Sequence, residues 1–269
     1  EIEYSVTTSE NIELEILSLL NGPRRDILRK GNVVSYIEPE LPPYSVLSPQ
    51  ISGPIPSVLS QDISIIEPSY DFISVGRSRV LGRPAQLIRI VSKDQHRYGY
   101  WLWVDLNTGL LLKLALITKK GQLLEQVQFT HLDITPEPSE SIKQLQTAEL
   151  PQVVEFHKNS KDEELNWQVN WLPSAFKRLK SNRHRINSNK QPVEFMMFSD
   201  GLVEFSVYVS PSKDKDRAAE YVMDGATVVL NKAVKGVEIS VVGKIPAATA
   251  KRIANSVRIG VNRLLRKTN

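Results

Sequence analysis

Residues 97–132, RYGYWLWVDLNTGLLLKLALITKKGQLLEQVQFTHL, contain three apolar strand-like runs joined by two turns, and they leave the chain little choice but an antiparallel meander. The first run holds Tyr98, Tyr100, Trp101 and Trp103. The breaks fall at Asp105–Gly109 and at Lys119–Gly121, where Asn, Gly and Lys replace apolar residues. In a strand, side chains alternate between faces, so Trp101 and Trp103 share one face while Leu102 and Val104 take the other. A sheet apolar on both faces needs a cover on one side. The other side is then either the inside of a sandwich core or an open wall for a lipid or peptide, and the pattern fits both.

With 269 residues, 41% of them hydrophobic and 24% charged, the chain has material for two ordinary globular cores. No apolar run is long enough to cross a bilayer as a helix, and no basic-then-apolar leader opens the chain, which predicts a cytosolic or already processed protein. The absence of cysteine removes disulfides, thiolate catalysis and zinc–cysteine sites, and suits an oxidising compartment occupied without staples. A net charge of +4 is too small to imply nucleic acid. Its distribution says more. Lys177, Arg178, Lys180, Arg183, Arg185 and Lys190 follow one another without a carboxylate, and seven further cations run unopposed from Lys244 to the end. Each cluster fits either an anionic partner or a solvated face.

The first half reads as short strands, including Val33–Ile37, Phe72–Val75 and Leu87–Val91, punctuated by Gly and Pro. Between residues 39 and 56 prolines, serines and isolated aliphatics predict a long surface loop, with a helical turn over 57–61. Composition changes again over residues 133–151, where prolines and acidic residues replace strands. That places a first domain at 1–135, a linker at 136–160 and a second, smaller domain at 161–269. In the second half a basic loop over 177–190 precedes strands at Val193–Phe198 and Val203–Val209. Ser199-Asp200-Gly201 joins these as a hairpin turn, since Asp-Gly accepts positive φ angles. Strands near 226–230 and 237–242 follow. Pro246 then opens a terminal helix whose stripe is Ile253, Val257, Val261 and Leu264.

Catalytic machinery is missing from this pattern. His96, His131, His157 and His184 are scattered, and no phosphate-cradling glycine loop or nucleophile elbow occurs. Ser210-Pro211-Ser212-Lys213 has the S-x-x-K spacing of serine acyl-enzymes, but that serine must open a helix and here proline intervenes. The residues therefore predict a non-enzymatic, cofactor-free binding protein of the α+β class, mostly antiparallel β.

Several strings resemble the MucB/RseB family of sigma-E regulators. They are G-P-R-R at 22–25, S-Y-D-F-I-S-V-G-R-S-R-V at 69–80, D-Q-H-R-Y-G-Y at 94–100, W-L-P-S-A-F at 171–176, F-S-D-G-L at 198–202 and V-G-K-I-P-A-A-T-A-K-R-I-A at 242–254. The resemblance implies an unclosed β-barrel similar to LolA and LolB as the amino-terminal domain, followed by a smaller antiparallel-sheet domain with a carboxyl-terminal helix. It implies a periplasmic regulator that binds the periplasmic part of the membrane-spanning anti-sigma factor RseA, shields it from proteolysis, and is released by lipopolysaccharide or another acyl-chain ligand. A lipoprotein or lipid carrier is the alternative, and a homodimer is compatible with either. On this reading Phe72, Tyr100, Trp101, Trp103, Leu114 and Phe129 line the lipid site, and Trp171, Phe176, Arg183, Arg185 and Phe198 meet the partner.

Overall fold

The computed structural model describes residues 2–20, 23–39, 41–51, 53, 55–60, 62–154, 165–185 and 192–260. By proximity the chain falls into two compact units, residues 1–57 with 132–159 and residues 58–131 with 160–269. The division expected from composition follows chain order. Grouping by proximity instead places the meander with the second half of the chain, because the two share a core.

The first unit is a five-stranded antiparallel sheet in sequential order: β1 (Ile2–Ser9), β2 (Ile12–Leu19), β3 (Arg25–Lys30), β4 (Val33–Ile37) and β5 (Tyr44–Leu47). The β1–β2 hairpin turns on Glu10 and Asn11, both at positive φ (50° and 63°), the geometry a two-residue turn needs to match strand twist. One apolar patch of this sheet is covered by helix α1 (Glu140–Thr147), whose Ile142 and Leu145 pack with Leu14, Ile16 and Leu28. Ser139 caps the helix, its hydroxyl accepting from the Ile142 amide. Residues 39–56 are therefore not all loop. Tyr44 pairs and stacks with Tyr36, and the Ser45 hydroxyl bonds both Ser35 and the Pro151 carbonyl, so a four-residue strand forms between the prolines.

Where the chain passes into the second unit, a 3-10 turn at Ser57–Ser60 occupies most of the predicted 57–61 segment. A second five-stranded meander follows, β6 (Tyr70–Val80), β7 (Arg83–Ser92), β8 (Gly99–Asp105), β9 (Leu111–Ile117) and β10 (Leu123–Gln128). The remaining elements are β11 (Trp167–Val169), β12 (Lys177–Arg185), β13 (Pro192–Ser199), β14 (Glu204–Pro211), β15 (Arg217–Asp224), β16 (Thr227–Val234), β17 (Val237–Gly243), α2 (Ala247–Ser256) and β18 (Val257–Ile259). Six of these strands form one antiparallel sheet ordered β12-β13-β14-β17-β16-β15, and β11 pairs with β18. None of the sheets closes on itself among the described residues, and the class is α+β with mostly antiparallel β.

The core is joint. Ile90, Tyr100, Leu102, Leu114 and Leu116 of the meander belong to one buried cluster with Phe198, Phe205, Val207, Val241 and Ile253. Each such side chain contributes about 1.5–3 kcal/mol on burial, which is why the meander groups with the second half.

Two expectations are corrected. The basic stretch begins as strand β12, paired with β13 from Lys177↔Ser199 to Arg185↔Pro192. As an edge strand it has one neighbour and needs no alternating apolar signal. The terminal helix stops at Ser256, and Val257 and Ile259 pair as β18 with Val169 and Trp167. Their β-branched side chains suit a strand, and two-residue spacing does not interrupt it. Val261 and Leu264 lie outside the described residues. Ser210, whose S-x-x-K spacing the intervening proline already set aside, lies opposite Glu238 near the end of extended strand β14.

Candidate functional site

Strand parity divides the predicted lipid-lining residues between two faces. Phe72, Ile90, Tyr100 and Leu116 form one cross-strand row, and Ile88, Leu102, Leu114 and Val127 the next. This is the core face. Tyr100 is 2% exposed and Leu114 1%, and Phe72 packs partly buried against the same cluster. Trp101 and Trp103 lie on the opposite face, in the rows Ile73–Arg89–Trp101–Ala115–Gln126 and Leu87–Trp103–Lys113–Gln128. Tyr100 and Leu114 thus cannot line the surface that carries the tryptophans. Phe129 is half-buried just beyond β10, its amide bonded to the Leu112 carbonyl.

The tryptophan face has an ordered arrangement. The Trp101 and Trp103 rings are tilted with centroids 6.2 Å apart, the Arg89 guanidinium lies 5.8 Å from the Trp101 ring, and the Lys113 ammonium 4.8 Å from the Trp103 ring. A cation over each indole face is electrostatically favourable and leaves positive charge beside apolar surface. Adjoining it is a shallow cleft of about 230 Å³ lined by Arg89, Val91, Ser92, Arg97, Gly99, Trp101, Ile117, Thr118 and Lys119, among others. No carboxylate occurs among its described lining residues.

Behind this cleft, the connection between β7 and β8 carries a polar cluster that sequence reading missed. Arg97, 1% exposed, donates through Nε to Asp200 Oδ2 at 2.6 Å, through Nη1 to Asp94, and through Nη2 to the Ser174 carbonyl. The Tyr70 hydroxyl donates to the same Asp200 oxygen at 2.8 Å. Asp200 Oδ1 accepts the Leu202 and Val203 amides at 3.0 and 2.8 Å. The guanidinium also lies over the Phe176 and Tyr70 rings, at 4.8 and 5.6 Å. A buried charge survives only when its partners satisfy it, and here each end of the pair is satisfied several times over. Burial, reinforced by the Asp200 charge, pushes the Tyr70 hydroxyl far up and keeps it a donor. Burial is the largest influence on Arg97 and works against its charge, but the Asp200 hydrogen bond together with the electrostatic attraction of Tyr70, Asp200 and Asp94 outweighs it and holds the guanidinium protonated.

Nearby, Trp171 stands between His96, edge-on at 4.9 Å, and the Arg252 guanidinium at 3.9 Å. A further tie joins the meander to the six-stranded sheet. Glu125 of β10 accepts the Ala226 amide at 2.9 Å and the Lys244 ammonium at 2.6 Å.

The predicted partner-binding residues are likewise dispersed. In the core Phe198 stacks on Phe205 at 5.2 Å and Phe176 packs tilted against it at 5.1 Å, 3% and 7% exposed, so neither ring is offered at a surface. Trp171 is half-buried. Arg183 and Arg185 lie on β12, and their side chains are outside the described residues. Asp200 read from sequence as a turn residue, which it is. Its second role, acceptor for a buried arginine, had one faint signal: the lone charge of Arg97 at the head of an apolar run. Five of the six strings that carry the family resemblance, those holding Tyr70, Arg97, Ser174, Asp200 and Thr249, meet around this cluster.

A family model described as the MucB/RseB N-terminal domain matches residues 1–154, and one for the MucB/RseB C-terminal domain matches residues 161–258. The sigma-E factor regulatory protein RseB of Salmonella typhimurium is 33% identical over 258 residues, covering 96% of this chain and 80% of that protein. The sigma factor AlgU regulatory protein MucB of Pseudomonas aeruginosa is 35% identical over 255 residues, covering 93% of this chain and 78% of the relative. Among solved structures, MucB in complex with MucA(peri) superposes with a TM-score of 0.72 at 33% identity, covering 97% of this chain and 88% of that one. The Pseudomonas aeruginosa MucA/MucB complex gives a TM-score of 0.74 at 32% identity with the same coverage. On the strength of both family models and these whole-length relatives, the chain belongs to the MucB/RseB family.

Proposed function

We propose that this protein is a non-enzymatic periplasmic regulator of a sigma-E-type stress response, which binds the periplasmic segment of a membrane-spanning anti-sigma factor and shields it from proteolysis. The observation that carries this reading is the whole-length likeness to MucB solved with MucA(peri), at 33% identity over 97% of the chain. Among the predicted partner residues whose side chains are described, Trp171, half-buried against Arg252, is the one nearest to a surface role.

Release by an acylated, anionic lipid such as lipopolysaccharide is the second part of the proposal. Trp101 and Trp103 supply an apolar wall, and Arg89, Lys113 and Lys119 supply positive charge at its margin. Each buried methylene of an acyl chain adds about 0.8 kcal/mol, so one chain against two indoles supports a useful affinity. Binding alone releases nothing. The lipid must favour the partner-free state over the partner-bound state, and the shift is bounded by that difference.

The test is a titration of the purified protein with the anti-sigma periplasmic fragment, followed by added lipopolysaccharide. Saturable binding of the fragment at micromolar concentration or below, reversed by the lipid, is expected. Binding of lipoproteins with no affinity for the fragment would assign the protein to lipid carriage instead.

A further inference from the structure

The cleft beside Trp101 and the buried Arg97–Asp200 pair are two sides of one segment. Residues 93–98 connect β7 to β8; Ser92, Arg97 and Gly99 line the cleft, while Arg97 reaches Asp200 and the Ser174 carbonyl and His96 reaches Thr249 of α2. Whatever occupies the cleft therefore lies against the residue that fastens the meander to the β13–β14 turn. The described lining offers three cations, Arg89, Arg97 and Lys119, two hydroxyls, Ser92 and Thr118, and no acid, with an indole along one wall. That donor set fits a phosphate group attached to an apolar body.

We infer that the cleft takes the phosphate of an anionic amphiphile, and that this phosphate competes with Asp200 for the Arg97 guanidinium, so that binding unfastens the β13–β14 turn from the meander. This rests on the lipid-release reading above and names both the group recognised and the switch it throws. A buried arginine whose three nitrogens are all engaged has no graded intermediate. Losing Asp200 without a replacement anion leaves an uncompensated charge, so the pair is either made or exchanged for another anion. The competition gives the phosphate a differential affinity, since it binds the unfastened state better, where alone Arg97 is available to it; release follows if the partner binds the fastened state.

The experiment measures binding of a short-chain phosphatidic acid, kept below its micelle concentration, by tryptophan emission and without any partner fragment. The matching diacylglycerol, which lacks the phosphate, is the control. Arg89→Ala and Lys119→Ala should each weaken phosphatidic acid about tenfold, the worth of one charge-assisted hydrogen bond, and leave the diacylglycerol unchanged. Asp200→Asn, which removes the competing charge, should tighten phosphatidic acid about tenfold. Tyr70→Phe deletes only the hydroxyl that steadies Asp200; it should tighten binding by a smaller factor and decides the matter should Asp200→Asn not fold. Unchanged affinity in both cleft variants overturns the phosphate site. Affinity within twofold of the parent in whichever of Asp200→Asn and Tyr70→Phe folds overturns the competition. Failure of the anti-sigma fragment to bind the parent protein is a separate result, read in a separate titration, and bears on the regulator reading alone.

Discussion

Replacing Asp200 by alanine removes an acceptor that four donors share: Arg97 Nε at 2.6 Å, the Tyr70 hydroxyl at 2.8 Å, and the amides of Leu202 and Val203 at 3.0 and 2.8 Å. Asp200 is 6% exposed and Arg97 1%, so water cannot take the carboxylate's place without opening the core. Stripping one partner from a buried ion pair costs about 3–5 kcal/mol. For a unit of this size each kcal/mol corresponds to about 2–4 °C, so the melting temperature should fall by about 10 °C. All four tryptophans, Trp101, Trp103, Trp167 and Trp171, belong to the compact unit that holds the pair, so urea unfolding followed by their emission reports on that unit directly. Arg97→Met combined with Asp200→Leu should recover more than half of the loss, since apolar replacement of both charges removes the uncompensated one. A loss below about 1 kcal/mol for Asp200→Ala would mean that the guanidinium finds solvent or a new acceptor, and the tightly buried latch described above would be refuted.

Parity along β8 and β9 predicts opposite outcomes for neighbours. Leu114→Ala should destabilise by about 2–5 kcal/mol in a urea melt, whereas Trp103→Ala should weaken lipid binding with a much smaller stability change. Gly225→Ala should destabilise by about 1–3 kcal/mol by the same melt, because its φ is +56° and the added Cβ would stand 2.7 Å from Glu125 Cγ. The Glu125 carboxyl is held below its ordinary value: burial opposes the charge, but the Lys244 hydrogen bond and the Ala226 amide outweigh it. A depressed carboxyl contributes stability above its unfolded pKa, and that contribution is lost as the pH falls through the folded value. Stability should thus drop on acidification, and Glu125→Gln should flatten that acid limb in urea melts run at successive pH values.

Much of the local structure was legible in the sequence. Asp200-Gly201 announced its hairpin because Gly201 adopts φ +99°, and the meander's three runs and two breaks fall where β8, β9 and β10 begin and end. Period-two alternation also required Trp101 and Trp103 to share a face, as they do. Strand β12 was illegible, since an edge strand rich in Lys and Arg looks like a solvated loop. The end of α2 was hidden as well, because Val257 continues the helical stripe by spacing while its backbone pairs with Val169.

What the sequence by itself determined was the set of strands joined by sharp turns and the strings that mark the family. These are local properties, set by φ preferences, side-chain alternation and residue identity over a few neighbours. Only the tertiary structure decided which face of the meander became core, sending Tyr100 and Leu114 inward with Phe198 and Phe205 and leaving the tryptophans on the other side. It alone joined Arg97 to Asp200, 103 positions apart. Parity says that two faces differ but not which one finds a partner, and a charge in a string does not reveal the opposite charge that will be buried against it.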